Sequence, residues 1–203
     1  MPTTIYHPPA TPRRGMDYTP QRGGPPDVGY GLAPRIKVGR RQTAHEVVDR
    51  RLRNFESDGL PPHQGLPTVK HDVLLPQHAP DHCSTVTGLC DHYERLALPH
   101  QVDLLAVLTL KFSDRELRHR AWEQARAFIA ARIVAAHDLP TVIVLHRPSI
   151  AARDLQAHVH ALIFLRRLPG SDFGTFYRPL TEPTARAVLA AEWALWRLSD
   201  GPA

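Results

Sequence analysis

The amino-acid sequence predicts an α+β fold, with an antiparallel or mixed central sheet, helices packed on one side of it, and a flexible N-terminal arm in front. Three observations predict it. Apolar runs of strand length, such as VDLLAVLTLKF and TVIVLH, alternate with longer segments whose apolar residues recur at helical spacing. The two segments TVIVLH and AHVHALIFLRRL are joined by a short polar link, which favours antiparallel pairing over a crossover. Proline and glycine crowd residues 1–67, where few regular elements can persist.

Within residues 1–67 the stretches PPATPRR, QRGGPPDVGYG, LAPR and GLPPHQGLP interrupt every helical or strand pattern but one. The exception is RQTAHEVVDRRLRNF, with Thr43 as N-cap, Glu46 three positions on, and Val47, Val48, Leu52 and Phe55 at helical spacing. The domain proper is expected over residues 68–203. TVKHDVLLP reads as an edge strand stopped by Pro76, and HAPDHCSTVTGLCDHYERLA as a helix started by Pro80-Asp81 and weakened by Gly88. VDLLAVLTLKF is apolar at successive positions, so it belongs mid-sheet with both faces buried. SDREL opens a helix with Ser113 as N-cap and Glu116 at the third position, and Leu117, Ala121, Phe128, Ile129, Ile133 and Ala136 form its inward stripe. TVIVLH ends at His146, the loop PSIAARDLQ intervenes, and AHVHALIFLRRL returns to the sheet. The closing helix, EPTARAVLAAEWALWRL, has Pro183 in its first turn and packs through Val188, Leu189, Trp193, Leu195 and Trp196.

The chain has 203 residues, enough for one domain with a substantial core. Its net charge of +5, carried mainly by arginine, favours a polyanionic partner. Cys83 and Cys90 lie two helical turns apart, too far for a disulfide, and read as small buried apolar residues. No apolar run approaches the ~20 residues of a membrane span, and MPTTIYHPPATPRR lacks the apolar core of a signal peptide. A cytoplasmic address without membrane attachment is the expectation.

His158 and His160 are two apart on one strand and so share a face, with Val159 on the other. His146 ends the preceding strand; antiparallel pairing would bring it beside them. Three imidazoles can hold a divalent metal and leave positions open for water or substrate. With no carboxylate in the set the ion keeps its full double charge, which suits an anionic oxygen such as that of a phosphodiester. A lone His-x-His fits equally well one imidazole on a backbone carbonyl and the other in solvent. Arg166 and Arg167 leave the histidine strand, and Arg147 and Arg153 flank the link before it. All four are candidate phosphate contacts, though a solvated sheet end would look the same.

These segments resemble the MobA/MobL family of plasmid mobilisation relaxases, within the His-hydrophobe-His endonucleases. The resemblance rests on VDLLAVLTLKF, the following helix, TVIVLH, AHVHALIFLRRL, DFGTF and AAEWALW, and spans about residues 68–198. It implies metal-dependent nicking and strand transfer of single-stranded DNA at a plasmid transfer origin, through a phosphotyrosine intermediate. It further implies a divalent metal, Mg or Mn, on His146, His158 and His160, and mobilisation accessory or coupling proteins as partners. The family's Ala-Ala-Tyr-Arg nucleophile motif is absent, which leaves Tyr18 and Tyr30 as the candidates. The other reading is a non-catalytic DNA-binding accessory protein that retains the fold. A histidine-triad hydrolase would need a histidine where Leu162 stands, and a rolling-circle initiator a tyrosine in the closing helix, which has none.

Overall fold

The structure, a computed structural model, describes residues 19–20, 27–52, 70–98, 100–113, 116–146 and 157–199. In chain order its elements are β1 (Thr19–Pro20), β2 (Val28–Pro34), a small hairpin of β3 (Ile36–Lys37) and β4 (Arg40–Arg41), α1 (Ala44–Leu52) and β5 (Lys70–Leu74). There follow α2 (Val86–Arg95), β6 (Asp103–Lys111), α3 (Arg118–Ile129), β7 (Thr141–His146), β8 (His158–Phe164) and α4 (Ala185–Ser199). Five strands of five residues or more form the central sheet, with two-residue β1 added at one edge, in the order β1-β2-β6-β8-β7-β5. Every pairing is antiparallel. The α+β class and the antiparallel sheet are as the sequence predicts.

The helices, however, cover both faces rather than one. Ala106, Leu108, Ile143, Val159, Ala161 and Ile163 face Trp122, Phe128 and Ile129 of α3 and Leu189 and Trp193 of α4. The alternate residues Leu105, Val107, Val142, Val144, Leu162 and Phe164 face Val47 and Val48 of α1 and Leu89, Cys90 and Tyr93 of α2. The cause is already in β6, β7 and β8. Strands apolar at odd and even positions alike leave two faces that must be taken from water.

The boundary expected at residue 67 moves for the same reason. β2 pairs with β6 along its length, from Val28 opposite Leu110 to Pro34 opposite Asp103, and α1 helps close the second core. Gly29, which makes GYGLAP look like loop, lies tightly against the neighbouring strand, since a Cβ there would be 3.2 Å from the Thr109 Cβ. The rest of the expected arm, residues 1–18, 21–26 and 53–67, lies outside the described residues.

Local signals explain most element ends. In α1 the Thr43 hydroxyl accepts the Glu46 N–H and the Glu46 carboxylate accepts the Thr43 N–H, each at 3.2 Å, the reciprocal cap expected from the sequence. A separate 3₁₀ turn, Asp81–Ser84, precedes α2, whose N-cap Thr85 accepts the Gly88 N–H at 3.0 Å. Gly88 is a packing requirement, because a Cβ there would fall 1.8 Å from the His82 carbonyl oxygen. α3 starts at Arg118, not at Ser113, since the Glu116 carboxylate is bonded to Arg197 of α4 instead of capping. It then widens into a π-helical turn over Ala130–Ala135. No described helix is long and apolar enough to cross a membrane.

Candidate metal centre

Strand pairing fixes the three histidines. In the β7–β8 register His146 stands opposite His158, and Val144 opposite His160. Because side chains alternate, all three imidazoles leave the face that α1 and α2 cover. Their ring centroids are 5.3 Å apart for 146 and 158, 4.8 Å for 146 and 160, and 4.7 Å for 158 and 160. One ring nitrogen from each lies within 4.8 Å of the others, a span that one ion can bridge. His146 and His160 are buried, and His158 is half-buried, so the cluster opens outward past His158.

Two of the rings are anchored through the nitrogen that a metal would not use. His146 Nε2 lies 2.6 Å from the Arg51 carbonyl oxygen. A carbonyl only accepts, so that nitrogen carries the proton and Nδ1 keeps its lone pair. His160 Nδ1 lies 2.8 Å from the Thr109 hydroxyl; when it donates there, Nε2 is left as the ligand atom. Burial lowers both affinities for protons. His146 is pushed down to about 4 by burial, against the Arg51 carbonyl bond and with the help of His158 and the Arg51 guanidinium. His160 is held well below the usual imidazole range, by burial first and then by Arg51, His158 and His146. Both are therefore neutral at neutral pH, as metal ligands must be. The donor set fits a divalent cation: three imidazoles, two with their protonated nitrogens already committed.

The surroundings are basic. Arg51, in the last turn of α1, acts electrostatically on His146 and His160, and exposed Lys111 stands opposite His158 in the β6–β8 register. No carboxylate is among the groups that shift either histidine. Sequence reasoning missed Thr109 and Arg51 as parts of this centre. Thr109 had left a signal, a hydroxyl within the apolar run VDLLAVLTLKF. Arg51 had left none beyond its share of a basic helix end.

The other candidates do not gather here. Arg147 and Arg153 lie outside the described residues, as does Tyr18. Arg166 lies six positions past His160 at the far end of β8, roughly 20 Å away at ~3.3 Å per residue. It is buried, and its guanidinium donates to the carbonyls of Gly174 at 2.9 Å, Phe173 at 2.5 Å and Leu96. Those donors hold the 173–174 turn and are not available to phosphate. Arg167, at the same end, donates to the His137 carbonyl at 2.9 Å and lies 4.8 Å over the Tyr177 ring. Tyr30 points to the opposite face of the sheet, where it is buried and donates to the Leu180 carbonyl. Burial, with help from Asp103, holds its phenol far above the usual range, so it is no nucleophile for this cluster.

Fold and cluster together define a class: an antiparallel α+β domain with a three-imidazole centre at one end of its sheet. No family model and no curated protein matches the sequence. Among solved structures, one from work on the molecular basis of vancomycin resistance transfer in Staphylococcus aureus superimposes with a TM-score of 0.54, covering 73% of this chain and 79% of its own. The two are 13% identical, so what they share is the fold.

Proposed function

We propose that this chain is a relaxase-like domain that uses a divalent cation on His146, His158 and His160 to nick single-stranded DNA at a transfer origin. The observation that carries the reading is the convergence of three imidazoles within 4.8 Å in a basic setting, two of them, His146 and His160, kept neutral by burial. The likeness in fold to a structure concerned with resistance transfer supports it. A bound ion, Mg or Mn in this reading, would supply a Lewis acid to the non-bridging oxygens of the scissile phosphate. Arg51 and Lys111 add fixed positive charge for the flanking phosphates, and Thr109 and the Arg51 carbonyl hold two of the rings in the tautomer that faces the ion. In the chemical step a phenol oxygen attacks phosphorus. The Oη–P bond forms, the P–O3′ bond breaks, and the departing 3′-oxygen takes up a proton as the phenol loses one. The protein is left joined to the 5′ phosphate.

Elimination narrows the choice of phenol. Of the five tyrosines, Tyr30 faces away, Tyr93 is buried with its hydroxyl on the Leu104 carbonyl at 2.7 Å, and Tyr177 stacks on His137. Tyr18 and Tyr6 remain, and we assign the role to Tyr18. Among the described residues no tyrosine hydroxyl is placed at the cluster, and this favours a second reading, a DNA-binding accessory protein of mobilisation that keeps the centre without turnover. Incubation with single-stranded origin DNA and manganese separates the two. A protein–DNA adduct that survives denaturation and is lost in Tyr18→Phe supports the nickase, and cation-dependent binding without an adduct supports the accessory reading. A protein that binds neither cation nor DNA excludes both.

A further inference from the structure

A second group of ligand-type side chains lies away from the three-imidazole centre. His82 and Cys83, in the 3₁₀ turn before α2, and His92, in α2, bring one ligand atom each within 4.8 Å of the others. His92 packs against Phe173, which stacks on Phe164 at the end of β8 remote from His158. The two groups are thus at opposite ends of the same sheet face.

Three details mark this group as built for an ion. His82 Nε2 and His92 Nδ1 are 3.2 Å apart, close to the about 3.3 Å that separates two nitrogens on a tetrahedral ion with bonds of about 2.0 to 2.1 Å. The rings meet edge to face at 71°, so both nitrogens can address one point. The tautomer of His92 is also set. The Arg95 guanidinium, which has donors only, lies 2.6 Å from Nδ1, so that atom carries the lone pair. The proton is then on Nε2, which is buried on the side of the Ser171 backbone carbonyl and has the Asp172 carboxylate 3.8 Å away. A ring that offers one nitrogen inward with a carboxylate behind the other has the arrangement of an oriented metal ligand. Cys83 is fully buried and supplies the soft donor, while exposed His82 leaves a way in.

We propose that His82, Cys83 and His92 form a second metal site, selective for zinc, which clamps the 81–84 turn to α2. On binding, the Cys83 thiol yields its proton to solvent and the thiolate joins the two imidazoles, leaving a fourth position for water. Thiolate beside imidazole favours zinc and disfavours hard ions such as magnesium and manganese, which the all-imidazole centre discriminates against less strongly. Arg95, in the last turn of α2, is the cation already on the lone pair. Its long, exposed side chain must swing outward as the metal enters.

Cobalt(II) added to the full chain after chelator stripping tests the site, because a thiolate-to-cobalt charge-transfer band reports only a sulfur-containing centre. The band is expected in the native chain and in a His158→Ala/His160→Ala variant, and zinc should displace it. It should vanish in Cys83→Ser, and His82→Ala, at an exposed position, should weaken cobalt binding by on the order of tenfold or more. Arg95→Gln should tighten it by removing the competing cation. No band in the native chain, a band that survives Cys83→Ser, or an affinity unmoved in a folded His82→Ala would overturn the proposal.

Discussion

The Thr109 hydroxyl, on β6, meets the Nδ1 of His160, on β8, at 2.8 Å. This contact joins two central strands at the point where the imidazoles converge. Thr109→Val keeps the shape and removes the anchor. Manganese affinity should fall on the order of ten- to a hundredfold, with the fold intact by circular dichroism. Unchanged affinity would show that Thr109 does not orient the ring.

Two of the histidines should separate metal binding from stability. His158 is half-buried, while His146 is buried and satisfies the Arg51 carbonyl. Alanine at either position should abolish manganese binding. His146→Ala should in addition lose ~1 to 3 kcal/mol in urea unfolding, because a buried carbonyl is left without its donor.

Arg166 predicts the reverse pattern. Its guanidinium serves three backbone carbonyls. Arg166→Ala should destabilise the chain by on the order of 3 kcal/mol and leave DNA affinity, measured on folded protein at low temperature, within twofold. A stable variant that has lost DNA affinity would return Arg166 to the phosphate-binding role.

The Asp103 carboxyl, partly buried at the start of β6, is held above the ordinary carboxylate range by burial. The sign follows from linkage. A carboxyl whose folded value is raised contributes its full stability below the unfolded value of ~4 and loses it as pH rises through the folded value. Asp103→Asn should therefore raise the melting temperature at pH 7, and the gain should fade on acidification to ~4. An equal gain at both pH values would point to another cause.

Much of this fold was legible in the residues. The spacing of β7 and β8, their antiparallel pairing and the shared face of His146, His158 and His160 follow from strand periodicity, and the Thr43–Glu46 cap of α1 from local bonding. What was not legible depends on partners distant in sequence. Gly29 looks like loop until Thr109 lies against it, and Gly88 like a helix breaker until the His82 carbonyl does. Arg166 follows a strand as a surface residue would, and only the returning 173–174 turn and Leu96 explain its burial. Likewise His82, Cys83 and His92 form a cluster only because a 3₁₀ turn, not a continuous helix, precedes α2.

The most direct measurement is the anomalous diffraction of a manganese-soaked crystal. The account predicts one peak equidistant from His146 Nδ1, His160 Nε2 and a ring nitrogen of His158, at bonding distance from each. Full manganese occupancy elsewhere, with the three rings turned to separate partners, would contradict it.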